Sequence, residues 1–501
     1  MKVTNHMDHD TDFTSSRRLR YWTHRNRLIG YFALAIVLRI ILYVTLPVFT
    51  TNDSWDYLLA SEDIYWRFDF LSGFLRDTRL PGYPVFLALV HPITLMQADR
   101  ILVAQTILGL ASMVLGLWIG RILGSRLAAE VLVIFLGFNP YFLLNEHALM
   151  TETWYLFVLL AFTALTLLAV RDGFTAGVSM GIGITAAAIV LTRANVLPFC
   201  VVIIVGAVAL RVILHRGGAS FVNGVYAHLR AILILGAVFA ILVVPWLWRN
   251  YQLYDTWTFV NFTNRNLLVW KAMHGDIDYT LPQISQVNDL LEMKKVDFVW
   301  LWKTRQVYDA NQIERISNEL WLEQIRAQPI THLSDIGEAL LGYAGIYDNY
   351  GDDRTAVRVW FSLIPELAQI QKLNRVSDEI ATRTSYTYVE RGIDSWINDW
   401  WSAAALLYMT YLRPVFLLGF TIIFFGYLLA VRRIQGAAPL LYRDTVLLLG
   451  AGYWVMAAVH AITLTDGDRY ALMFDWIPIL LVVLVSETIF AYNRRISQTP
   501  H

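Results

Sequence analysis

Apolar stretches of about twenty residues recur from one end of the chain to the other, and none alternates with the period of two that a barrel strand requires. Their length matches a helix crossing roughly 30 Å of hydrocarbon, where every backbone polar group must be satisfied internally. Spans are expected near residues 28 to 48, 101 to 120, 127 to 145, 151 to 170, 173 to 191, 195 to 214, 229 to 248, 404 to 430, 445 to 464 and 471 to 491. The segment Leu80 to Met96 is apolar but broken by Pro81, Pro84 and Pro92, so it reads either as a further span or as a helix at the interface.

Composition agrees with this pattern. The 501 residues are 56% hydrophobic and 16% charged, with 18 Trp, more apolar surface than one soluble core can hide. The expected fold class is an all-α integral membrane protein, a bundle of about ten transmembrane helices. The single cysteine, Cys200, lies in an apolar run, so no intramolecular disulfide can form. A formal net charge of zero and the lack of a long basic block set nucleic-acid binding aside.

Charge sets the orientation. Arg17, Arg18, Arg20, Arg25 and Arg27 precede a span that contains Arg39, and no small-residue cleavage site follows, so the first helix is expected to remain as an anchor. With Leu80 to Met96 not spanning, the cytoplasmic side also collects Arg121, Arg126, Arg171, Arg211, Arg216, Arg230, Arg432, Arg433, Arg443, Arg494 and Arg495. Both termini (1 to 27 and 492 to 501) are therefore expected in the cytoplasm of a plasma or inner membrane protein. The membrane parts are then 28 to 48, 101 to 248 and 404 to 491. A first external loop covers 49 to 100, and an external domain covers 249 to 403. In that domain Ile313, Ile316, Leu320 and Ile325 predict an amphipathic helix stopping near Pro329, and Gly345 to Asp353 reads as a loop.

The first external loop carries Asp53 and Asp56, three apart, so a helical turn there puts both on one face. An ionised carboxylate in a partly dry cleft can act as general base, an isolated Asp53 can equally cap a helix, and the pair offers a divalent-metal option. Arg79, Arg193, Arg249 and Arg469 fall at one expected depth, the outer membrane face. Snorkelling to headgroups explains any one of them; together they could grip a phosphate and neutralise its growing charge as it leaves. Glu146 and Glu152 bracket a turn where a buried carboxylate needs a partner such as Arg193, so Glu152 reads as a positioning residue. Arg39, in mid-span, costs about 2.5 to 3.5 kcal/mol unless paired, and an interior pairing is expected. His91, His147, His274 and His460 have no ligand spacing, so no metal site is expected from them.

Several motifs occur in order: Asp53-Ser54-Trp55-Asp56-Tyr57, Arg79-Leu80-Pro81-Gly82-Tyr83-Pro84, Thr151-Glu152-Thr153, Leu191-Thr192-Arg193, Pro245-Trp246, Arg249-Asn250 and Arg469-Tyr470. This series resembles the polytopic GT-C glycosyltransferases, among them protein O-mannosyltransferases and lipid A aminoarabinose transferases. The resemblance implies a GT-C helical bundle with juxtamembrane helices in the first external loop and a mainly helical external domain. It also implies a polyprenyl-phosphate sugar donor, inversion at the anomeric carbon, and Asp53 as the catalytic base. Asp56, Tyr57, Tyr83, Glu152, Asn250 and Tyr470 would position the site. No cofactor is required on this reading. The acceptor is a glycan, lipid or protein hydroxyl on the non-cytoplasmic face. The protein mannosyltransferases show adjacent Asp-Glu where Asp53 is followed by Ser54 here, so their acceptor class does not carry over.

Two rivals remain. A transporter or lipid flippase would move substrate without covalent change; the scarcity of charge inside the expected spans and the large external domain count against it. A non-catalytic scaffold would tolerate replacement of Asp53.

Overall fold

A computed structural model describes residues 9–46, 48, 52–70, 79–94, 97–214, 221–260, 310–343, 408, 412–431, 439–462 and 472–498. Among the described residues every regular element is helical. In chain order these are α1 (His9–Thr45), α2 (Asn52–Arg67), α3 (Gly82–Thr94), α4 (Ala98–Leu123) and α5 (Arg126–Phe138). Then come α6 (Pro140–His147), α7 (Glu152–Asp172), α8 (Ala176–Val190), α9 (Leu197–Leu214) and α10 (Phe221–Tyr254). The series ends with α11 (Ala310–Ala327), α12 (Pro329–Tyr343), α13 (Arg413–Ala430), α14 (Leu440–Ile462) and α15 (Trp476–Gln498). Eight helices among the described residues are long and apolar enough to cross a membrane, so this is an all-α, multi-pass membrane protein.

Helix α7 occupies the centre. Of its apolar window 72% is buried, against 22% for α1 and α10, whose Ile29, Leu34, Val44, Ile241 and Leu242 face outward. Around α7 stand α4, α8 and α9; α5 and α10 form the next layer, and α13, α14 and α15 close the bundle against α5 and α9. Lipid tails are as apolar as leucine, so close packing holds these helices together. A Cβ on Gly183 of α8 would meet the Leu235 carbonyl oxygen of α10 at 2.8 Å, so the hydrogen side chain permits that approach.

Two of the ten expected spans differ in kind. The stretch expected at 127 to 145 is a broken pair, α5 and α6, meeting at 47°. Pro140 has no N–H to continue the ladder, and Asn139 turns its side-chain oxygen onto the Tyr141 N–H (2.9 Å), so a new helix starts there. The stretch expected at 173 to 191 is α8, whose 15 residues rise only about 22 Å. Leu80 to Met96 contains α3, 13 residues long and too short to span; it is wedged against α2, α4 and α8 with Tyr83, Phe86 and Leu87 buried.

In the expected external domain, α11 ends at Ala327 as the amphipathic pattern predicts, with Leu320 buried. Pro329 then opens α12, where its missing N–H has no cost. Helix α12 packs along α14. Gly345 to Asp353 lies outside the described residues.

Arg39 finds its partner across the bundle. Its Nε and Nη2 donate to both Glu146 carboxylate oxygens, at 2.9 and 2.6 Å, and both side chains are 3% exposed. Its Nη1 donates to the Gly137 carbonyl (3.1 Å), which the break at Pro140 has deprived of its helical donor because Tyr141 N–H is turned to Asn139. The pair has room only because residue 109 is glycine: a Cβ there would lie 1.9 Å from Glu146 Oε1. Gly109→Ala should therefore displace the pair and cost about 1 to 3 kcal/mol, the range for overpacking. Gly177→Ala, with open space around its Cβ, is the control. Thermal unfolding in detergent checks this, and equal midpoints for the two variants would refute it.

Candidate functional site

The ends of many helices meet at one end of the bundle, and three groups of side chains gather there. The first lies on α2 and the turn before α3. Asp56, half-exposed, accepts from Arg79 Nε at 3.2 Å. The Arg79 guanidinium also lies 5.6 Å from the centre of the Tyr57 ring, and Tyr57 meets Tyr83 edge-on at 5.3 Å. Helix α2 begins at Asn52, so Asp53 sits inside its first turn, three positions before Asp56 on a continuous helix. The Asp53 side chain lies outside the described residues.

The second group is Glu152 and Arg193, joined at 2.8 Å and buried, with Thr151 Oγ1 accepting from the same guanidinium. Arg193 also lies over the Tyr155 ring at 5.0 Å. This is the partner expected for Glu152; Glu146, the other carboxylate of that turn, takes Arg39 instead. The two carboxylates line one small crevice with Ser112, Asn145, Thr153 and Met473.

The third group ends α10. Arg249 is 6% exposed, donates to the Phe70 carbonyl (3.2 Å) and to Asn250 Oδ1 (2.8 Å), and lies over Trp246 and Tyr254. Asn250 is buried and folds the following segment back by donating to the Thr258 and Phe259 carbonyls. Arg469 and Tyr470 lie outside the described residues.

Packing joins these groups. The Gly82 N–H donates to the Leu191 carbonyl (2.8 Å), Trp154 Nε1 donates to Thr192 Oγ1 (3.1 Å), and Phe86 stacks on Trp154, which ties α3 to the turn carrying Arg193. Leu80, Ile64 and Trp246 share one apolar cluster with Leu191 packed on it, which ties the Arg249 end to the same place. In this conformation Arg79, Arg193 and Arg249 are all held by protein acceptors, so an incoming anion would exchange with a carboxylate or carbonyl.

Near the end of α2, His91 of α3 stacks on Tyr65 at 3.8 Å, and burial pushes its pKa below the ordinary histidine value. Half-buried Glu62 is raised above the usual carboxylate range, first by burial and then by neighbouring Asp63. Among the described residues no cluster of three or more His, Cys, Asp or Glu is placed to hold a metal ion.

Sequence reasoning missed one buried group. Arg413 at the start of α13 donates to Asp475 at 2.8 Å, both essentially unexposed, and Tyr408 donates to the same oxygen. Both charges fall inside expected spans, at 404 to 430 and 471 to 491, and an intramembrane charge is itself the signal that a partner must exist. The scarcity of charge weighed against a transporter is thereby corrected: among the described residues the bundle buries three arginine–carboxylate pairs, Arg39–Glu146, Arg193–Glu152 and Arg413–Asp475.

The fold and these groups define a helical membrane protein with a polar centre at one end of its bundle. Comparison with family models, curated proteins and solved structures finds no match.

The Arg193–Glu152 pair should behave as a unit. Glu152→Gln or Arg193→Met alone strands a buried charge and should cost about 3 to 5 kcal/mol, while the double variant should recover much of that. A double-mutant cycle on thermal unfolding reads the coupling, and additive losses would show that the two are not coupled.

Proposed function

We propose that the chain is an inverting membrane glycosyltransferase of the GT-C type, moving a sugar from a polyprenyl-phosphate donor to a hydroxyl on a glycan, lipid or protein. The observation that carries this reading is convergence: Asp56, Arg79, Glu152, Arg193 and Arg249, spread over nearly two hundred residues, gather around α2 and α3, with Arg79 on Asp56 in the early turns of α2 and Arg249 on the Phe70 carbonyl just past its end.

On this reading the donor enters from the bilayer between helices, with its phosphate held by Arg79 and Arg249. Arg193 and Arg469 complete the leaving-group site. Asp53 takes the proton of the acceptor hydroxyl as that oxygen bonds to the anomeric carbon. The carbon–oxygen bond to the phosphate breaks on the opposite face, the polyprenyl phosphate departs with the electron pair, and the configuration inverts. The arginines stabilise the departing charge. No cofactor takes part, although Asp53 and Asp56 offer a place for a divalent ion. The site faces the non-cytoplasmic side of a plasma or inner membrane, with both termini in the cytoplasm.

The three buried ion pairs give the transporter reading a specific foothold, because intramembrane charge also marks substrate pathways. The two readings separate in one preparation. Purified protein in liposomes, given radiolabelled polyprenyl-phosphate sugars and envelope acceptors, should yield a new covalent product; movement of label without a product would favour transport.

Asp53→Asn should lower transfer about 10²- to 10⁴-fold, the usual worth of a general base, and leave donor binding intact. Turnover near that of the parent would remove Asp53 from the mechanism. Arg249→Ala should weaken donor binding about 10- to 100-fold, corresponding to about 1.5 to 3 kcal/mol for a charged hydrogen bond, with Arg249→Lys intermediate. An unchanged donor affinity by equilibrium binding would contradict its phosphate role.

A further inference from the structure

Between the buried Arg39–Glu146 pair and the proposed catalytic helix runs a continuous chain of contacts through a residue that no motif marks. Gln105 of α4 is 0% exposed. Its Nε2 donates to two backbone carbonyls at the end of α6, Glu146 (2.9 Å) and Ala148 (2.7 Å), and its Oε1 accepts from the Tyr83 hydroxyl at 2.6 Å. Both amide hydrogens and the amide oxygen are thus committed, which leaves one orientation for the side chain. Tyr83 then supports Tyr57 edge-on, Tyr57 lies under Arg79, and Arg79 binds Asp56. On the membrane side, the Glu146 whose carbonyl Gln105 holds has its carboxylate clamped by Arg39. A second contact runs parallel: Ser54 Oγ, in the first turn of α2, donates to Met150 Sδ in the turn that follows α6.

Alternative partners for these groups are scarce in hydrocarbon, where an unmade hydrogen bond costs several kcal/mol. The orientation of α6, fixed by the Arg39–Glu146 pair and by Arg39 on the Gly137 carbonyl, is therefore passed to Gln105 and on to Tyr83. We propose that Gln105, backed by Arg39 and Glu146, is a positioning residue that sets the placement of α2, and with it the base at position 53, relative to the arginines of the site. This rests on the glycosyltransferase reading for its catalytic consequence and on the contacts alone for its structural one. Misplacement of a reacting group by about 1 Å costs on the order of 10²-fold in rate, which makes a remote amide consequential.

The test uses the full chain in nanodiscs with two readouts. In the first, spin labels replace exposed Trp66 on α2 and exposed Leu127 on α5 in a Cys200→Ser background, and their distance distribution is measured by pulsed electron resonance. The parent should give one narrow distribution. Gln105→Leu, and Tyr83→Phe, which removes only the hydroxyl, should broaden or shift it. In the second readout, both variants should lose about 10²-fold in kcat per donor-binding site, with donor KM within about threefold. The double variant should lose no more than the worse single one, because both cut the same chain.

An unchanged distance distribution in both variants, or a parental kcat in both, would overturn the positioning role. A drop in donor-site occupancy with unchanged kcat per site would overturn it too, as a merely structural effect. A parent that transfers no sugar overturns the proposed function and the catalytic half of this inference; the distance measurement then still decides whether Gln105 seats α2.

Discussion

Hydrocarbon offers a charged or hydrogen-bonding group almost nothing to bind, and among its described residues this protein buries three arginines each against a carboxylate. Each pair ties together segments far apart in the chain: α1 to α6, the α8–α9 turn to the start of α7, and the start of α13 to the entry of α15. Packing between apolar helices in lipid is weakly selective, since one leucine face resembles another. A buried ion pair is selective because the wrong register leaves a charge stranded. The pairs therefore fix which helix faces which, and the apolar contacts around α7 fill in the rest.

The Arg39–Glu146 pair shows how a local defect becomes useful. Asn139-Pro140 breaks a span and frees the Gly137 carbonyl, a liability in a membrane. Arg39 satisfies that carbonyl with one nitrogen while its other two hold the carboxylate seven residues beyond Asn139. The break turns α6 so that its last carbonyls face Gln105, and the polar network continues from there toward α2. Those carbonyls are free to accept because α6 ends at His147, and the last carbonyls of a helix have no donor in their own ladder.

Much of the architecture was legible from hydropathy. Among the described residues eight spans fall where the apolar windows put them, because a chain without barrel-type alternation can satisfy its backbone in lipid only as helices. The two departures were written in shorter signals: the Asn139-Pro140 dipeptide inside an otherwise unbroken apolar run, and the glycine- and alanine-rich composition of α8, which marks close packing along a helix of only 15 residues. The pairing of Glu152 with Arg193 could be anticipated because both sit at the same depth next to turns. The partner of Arg39 could not be chosen in advance, since matching α1 to α6 requires knowing which helices touch. Gln105 had no signal of its own: an isolated glutamine in a span matters only once the carbonyls and the hydroxyl around it are placed.

The missing side chain at Gly109 has an evolutionary consequence. A carboxylate oxygen occupies the space that even a methyl group would need, so positions 39, 109 and 146 form one unit of inheritance. A single substitution at 109 meets the carboxylate, and a single substitution at 146 abandons a guanidinium in oil. Passage to another solution requires changes at two or three of these sites together. Descendants of this chain should therefore keep or lose all three as a set, and that signature could be read from an alignment of sequences alone.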